Sequence, residues 1–145
     1  MPAVTSSVEI NAPVDRVYAF IADRPEGATS FIPGLNRISS VSSPAAVGQT
    51  WEYEFNWFGL VITGQTRCSA LDRHRTYQFQ TLTGNQSTWT YRFEPRGAAT
   101  GVTLDVDYDL PQNQIARFAS QQVLDKMNQE RAEETLSNLK GLLEE

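Results

Sequence analysis

The sequence is poor in the residues that build most catalytic and metal centres. Cys68 is its one cysteine and His74 its one histidine. That excludes an internal disulfide, a multi-cysteine zinc site and any centre needing two imidazoles. No apolar run approaches the ~20 residues that span a bilayer. The opening Met1-Pro2-Ala3-Val4-Thr5-Ser6-Ser7 has neither the basic nor the apolar stretch of a secretion signal. A basic stripe is missing too. Residues 1–100 carry eight basic and eight acidic side chains and residues 101–145 four against nine, so the net charge of −5 lies wholly in the last third. Nucleic-acid binding calls for the opposite sign, and the nearest basic cluster, Arg73-His74-Arg75, reads as a solvated turn. No phosphate-binding loop, dinucleotide fingerprint or Ser/His/Asp motif is present. The expectation is a cytoplasmic protein with no cofactor and no metal.

What the sequence does hold is aromatic. Of 145 residues, 40% are apolar and 10% are Phe, Trp or Tyr, enough for a single domain over 1–145 with a real core. Val4, Val8 and Ile10 alternate as a half-buried strand. Asn11-Ala12-Pro13 supplies a capping residue and a helix-opening proline, and Val14, Val17, Tyr18 and Ile21 give a short helix to about Asp23. A second short helix over 27–32 stops at Pro33-Gly34, and a short strand fits near Ile38–Val41. From Val47 to Leu110 period-two alternation dominates, broken by Gly59, Gly84-Asn85 and the Pro95–Thr100 turn. The pattern predicts an α+β fold whose curved, seven-stranded antiparallel sheet has one wet face. Residues 112–143 then read as one long helix. Its first half is apolar along Ile115, Phe118, Ala119, Val123 and Met127, and its second along Ala132, Leu136, Leu139 and Leu143, roughly 120° away. The polar stretch Asn128–Arg131 between them implies a bend or a middle that faces something other than dry core.

The inward face of the sheet collects Trp51, Tyr53, Phe55, Trp57, Tyr77, Phe79, Trp89, Tyr91, Phe93 and Tyr108. One helix ~10 Å across cannot fill the concave side of so wide a sheet. These rings therefore either plug the groove or line a cavity. Tyrosine and tryptophan, apolar bodies with polar tips, suit a lining. If the leucine stripe sets the inward direction of the helix, Gln121, Gln122, Asp125 and Gln129 lie on or near the same face, with Phe118 beside them. The candidate ligand-binding set is those ten aromatics with Phe118, Gln122 and Asp125.

The segments INAPVDRVYAFIAD, FIPGLNRI, VGQTWEYEF, WTYRFEP, TGVTLDVDYDLP and ETLSNLKGLLEE, in that order, resemble the SRPBCC or START-like superfamily, and most closely its polyketide cyclase/dehydrase branch. The resemblance implies a helix-grip architecture: an antiparallel sheet wrapped around a long C-terminal helix, two short helices after the first strand, and a hydrophobic cavity between. The segment FIPGL is also similar to the G subunit of carbon monoxide dehydrogenase.

Catalytic groups are scarce. Glu52, Glu54, Asp105, Asp107 and Asp109 alternate with the aromatic face and so point to water. Cys68 reads as a small buried hydrophobe, and Asp125 beside tyrosine phenols is the one acid/base candidate. The reading that follows is binding of a small hydrophobic, ring-containing ligand in the cavity. A cyclase or dehydratase is the alternative that would make the chain an enzyme. A third is an assembly or membrane-contact protein using Trp57-Phe58-Gly59-Leu60 at a hairpin tip. The expected partner is a small hydrophobic molecule rather than nucleic acid or a membrane, and a homodimer is left open.

Overall fold

Alternation of large and polar residues places the strands. In the computed structural model, which describes residues 3–57, 59–83, 86–108 and 121–144, they are β1 (Ala3–Ile10), β2 (Leu35–Ser39), β3 (Thr50–Trp57), β4 (Leu60–Asp72), β5 (Thr76–Thr81), β6 (Ser87–Arg96) and β7 (Ala99–Tyr108). All pair antiparallel in one sheet of order β1-β7-β6-β5-β4-β3-β2. Consecutive strands from β2 to β7 are neighbours, the meander that short turns enforce. Gly59, at φ +94°, closes the β3–β4 hairpin, its N–H donating to Asn56 Oδ1 at 2.8 Å. A bulge between Cys68 and Ala70 adds one residue to β4, which increases local twist and bends the sheet.

Between β1 and β2 the chain makes α1 (Val14–Tyr18), a π turn (Ala19–Asp23) and a 3-10 turn (Pro25–Ser30). Asn11 does not cap α1. Pro13 takes that position without a side-chain bond, while the Asn11 N–H donates to Glu144 Oε2 at 2.8 Å. The helical run ends at Arg24, extended at φ −136° and ψ 95°, as the residue before a proline prefers. Helix α2 (Gln121–Leu143) is one continuous segment through the polar stretch at 128–131; the expected helix over 112–120, with Ile115, Phe118 and Ala119, lies outside the described residues.

The core sits between α2, α1 and the β1–β7 end of the sheet. Leu136, Leu139 and Leu143 are fully buried with Ile10, Val17, Ile21, Val102 and Leu104, and each buried leucine contributes about 1.5–3 kcal/mol of transfer free energy. Two polar side chains of α2 reach the outer edge of β1: Gln129 Nε2 donates to the Thr5 carbonyl at 2.7 Å and Lys140 Nζ to that of Glu9 at 2.8 Å. The convex face is wet, with Glu52, Arg92 and Asp107 exposed. Thr88 and Thr90, expected to be fully exposed there, are half-buried. Gln78 covers Thr90 by donating to its Oγ1 at 2.9 Å.

Candidate ligand cavity

The concave side is an aromatic floor. Phe79 lies at its centre, stacked on Trp89 (ring centroids 5.8 Å apart, planes at 14°) and edge-on to Trp51 at 5.6 Å. Tyr77 continues the row and stacks on Tyr91 at 6.2 Å. Register explains the grouping, because Phe79 pairs with Trp89 and Tyr77 with Tyr91 across β5 and β6. Tyr53, Phe55 and Tyr108 extend the lining. The rings do not close the groove. They leave a cavity in which the centre of a water-sized sphere ranges over about 110 Å³, well above the roughly 10–15 Å³ that a single water needs.

Several walls carry no signature in the sequence. The roof is Ile21, Pro25, Ala28, Phe31 and Ile32, from the π and 3-10 turns and the residues after them. Irregular turns have no periodic signal, so only their apolar character marks them. Thr66, Thr81 and Ser87 belong to the floor; they are in phase with the aromatics, and that phase is the signal that finds them. Helix α2 presents Asn128, Arg131 and Ala132. Two members of the polar stretch, Asn128 and Arg131, thus face the cavity, the second of the two options its composition left, while Gln129 turns to β1 and Glu130 to solvent.

Of the other candidates, Asp125 is half-buried and accepts a hydrogen bond from Tyr108 Oη, which places it behind a lining phenol. Gln122 is exposed, outside the cavity wall. Phe93 is inward-facing but packs edge-on against Tyr18 of α1 at 5.3 Å, beyond the lining. The Trp57 side chain, Phe58 and Phe118 lie outside the described residues, and with them the hairpin-tip surface.

His74 departs from expectation. It is not a solvated turn residue: held at φ +68°, it is half-buried, sets its ring edge-on to Tyr18 at 5.5 Å, and its Nε2 is buried without a partner. The cause is the turn Asp72–Arg75, which folds the imidazole under α1. Cys68 is the buried small hydrophobe expected; burial pushes its thiol pKa up. Among the described residues no three His, Cys, Asp or Glu side chains group as metal ligands.

The tyrosines differ in their partners. Tyr53 Oη donates to the Thr83 carbonyl at 2.9 Å, which can approach because Gly64, the cross-strand neighbour of Tyr53, has no Cβ to block it. Trp89 Nε1 donates to Ser87 Oγ at 3.2 Å. Tyr91 has nothing: its Oη is fully buried and unpartnered. Burial alone holds the Tyr91 phenol protonated far above its usual range. Burial and the bond to Asp125 push Tyr108 up to about 12. At neutral pH both are neutral hydrogen-bonding groups and not bases. Arg131 completes the polar set. Its Nη1 donates to the Pro33 carbonyl at 2.7 Å and its guanidinium lies over the Phe55 ring at 5.2 Å. Burial lowers its pKa, while Glu134 works against that shift.

A sheet gripping a long C-terminal helix, with two short helical turns after the first strand and an aromatic cavity between, defines the helix-grip class. The chain belongs to the family described as polyketide cyclase / dehydrase and lipid transport, which matches residues 1–144. Solved structures share the fold. TTHA0849 from Thermus thermophilus superposes with a TM-score of 0.81 at 21% identity, covering 97% of this chain and 95% of that one. A START superfamily protein from Mycobacterium smegmatis gives 0.77 at 14% identity, over 98% and 97%. The Zhui aromatase/cyclase from Streptomyces sp. R1128 gives 0.74 at 19%, over 98% and 93%. No curated protein matches the sequence. Among the described residues no helix is long and apolar enough to cross a membrane.

Proposed function

We propose that this chain binds a small, largely apolar, ring-containing molecule in the cavity, with Tyr91 holding a hydroxyl or carbonyl of that molecule. The observation that carries the reading is the Tyr91 phenol, buried in the cavity wall with no partner. A buried polar group left unpaired costs about 1–3 kcal/mol, and a bound polar atom removes that cost. The floor of Trp51, Phe79 and Trp89 offers flat apolar area to a ring, and the family's own description includes lipid transport.

Titration with 2-naphthol tests this. A ligand that binds only the folded chain stabilises it by about 2.7 kcal/mol at a hundredfold excess over Kd, so Tm rises with the logarithm of ligand concentration above Kd. Native mass spectrometry of gently purified protein should retain a small apolar molecule. No concentration-dependent rise in Tm with 2-naphthol, fatty-acid-like or steroid-like compounds, and no retained molecule, defeats the reading.

The Tyr108–Asp125 hydrogen bond favours a second reading, a cyclase or dehydratase in which the cavity folds a reactive chain and this pair moves a proton. Turnover abolished by Asp125→Asn with ligand binding intact would support it.

A further inference from the structure

We infer that Thr66 is a second polar anchor in this cavity, set opposite Tyr91, so that the cavity selects a ring-containing molecule with an oxygen at each end; this rests on the cavity being a ligand site. Thr66 belongs to the cavity floor and is 2% exposed. Among the described residues its hydroxyl has no hydrogen-bond partner. Its row neighbours Thr81 and Ser87 are bonded: the Ser87 N–H donates to Thr81 Oγ1 at 2.7 Å, and Trp89 Nε1 to Ser87 Oγ at 3.2 Å. Strand propensity does not account for the Thr66 hydroxyl, because valine has the same shape and suits a strand equally well. Enclosing it unpaired costs desolvation, and an oxygen of a bound molecule removes that cost.

Register sets the two anchors on either side of the stacked rings. Thr66 pairs with Thr81 of β5, Tyr91 pairs with Tyr77 of the same strand, and Phe79 is midway between Thr81 and Tyr77. The anchors are therefore two strands apart and four residues apart along β5, about 13 Å at ~3.3 Å per residue. Between them the floor is Phe79 and Trp89, with Trp51 beside Thr66. A flat ring system lying on Phe79 and Trp89 thus turns one edge to Thr66 and the opposite edge to Tyr91. A molecule with both oxygens on one edge reaches only one of the two.

Calorimetric titration at pH 7 compares two isomers that differ only in where their hydroxyls sit: 2,6-dihydroxynaphthalene, with one at each end, and 2,3-dihydroxynaphthalene, with both on one edge. The corresponding dihydroxyanthracenes repeat the comparison at greater length. One neutral hydrogen bond changes affinity about two- to tenfold, so at one of the two lengths the 2,6 isomer should bind tighter than the 2,3 isomer by about that factor. In Thr66→Val the preference should vanish while 2-naphthol, held by Tyr91, binds as before. Thr66→Ser, which keeps a hydroxyl, should retain it. Equal binding of the isomers by the unaltered protein at both lengths overturns the inference, while the cavity reading stands. So does a preference that survives Thr66→Val. So does a Thr66→Val variant that weakens 2-naphthol as much as the diols, since Thr66 would then be the single anchor. If neither the diols nor 2-naphthol binds, the cavity reading itself has failed. Should the Val variant not fold, Thr66→Ala takes its place.

Discussion

Replacing Tyr91 with Phe should move stability and affinity in opposite directions. The hydroxyl is buried without a partner, so deleting it removes a desolvated group and breaks no bond. Leaving such a group unpaired costs about 1–3 kcal/mol, and Phe fills the same ring site against Tyr77. For a chain of 145 residues, unfolding entropy of about 2.1 cal/mol/K per residue makes 1 kcal/mol worth ~3 °C of Tm. The ligand-free variant should therefore melt about 3 °C or more above the parent by scanning calorimetry. In the same variant 2-naphthol should bind two- to tenfold more weakly, from the loss of one hydrogen bond of about 0.5–1.5 kcal/mol, while naphthalene should be unaffected. A fall in Tm of about 2 °C or more would show that the hydroxyl is bonded in the native state. Unchanged 2-naphthol affinity would show that the bound hydroxyl goes elsewhere. Either result refutes the reasoning.

Leu139→Ala, at a fully buried position of α2, should cost about 2–5 kcal/mol by urea denaturation. Gly34→Ala should cost about 2 kcal/mol or more by the same measure, because Gly34 sits at φ +86° and an added Cβ would meet Arg131 Nη1 and the Asn56 carbonyl. Glu144 accepts from Lys140 Nζ at 2.6 Å and from the Asn11 N–H, which holds its carboxyl below the ordinary value. Its contribution to stability is therefore present above the unfolded carboxylate range and lost as pH falls through the lowered folded value. Glu144→Gln should lower Tm at pH 7, and the difference should vanish as the pH approaches 3.

The strands were legible because one face of each is apolar and the other wet: Trp51, Tyr53 and Phe55 against Glu52, Glu54 and Asn56. The leucine stripe of α2 was legible for the same reason. Periodicity reports which face is buried and not what buries it. Phe93 shares the phase of Trp89 and Tyr91, yet α1 and Tyr18 cover it, so it lies outside the cavity. Arg131 was hidden by its charge, since a cation in mid-helix reads as solvent-facing until tertiary contacts place it against Phe55 and Pro33. Gln122 failed in the opposite sense, because an inward direction extrapolated from Leu136 and Leu139 accumulates error along the helix. His74 could not be placed from sequence, because its burial depends on a left-handed turn meeting a helix distant in the chain.

The bonds from Gln129 and Lys140 to the carbonyls of Thr5 and Glu9 have a consequence for solubility. β1 is an end strand of the sheet, and an end strand with bare carbonyls is a template on which another chain's strand can add. Here the C-terminal helix occupies two of those acceptors and lies along the strand as a cover. Loosening the helix therefore does two things at once. It opens the cavity, and it uncovers the edge from which strand-to-strand aggregation would begin.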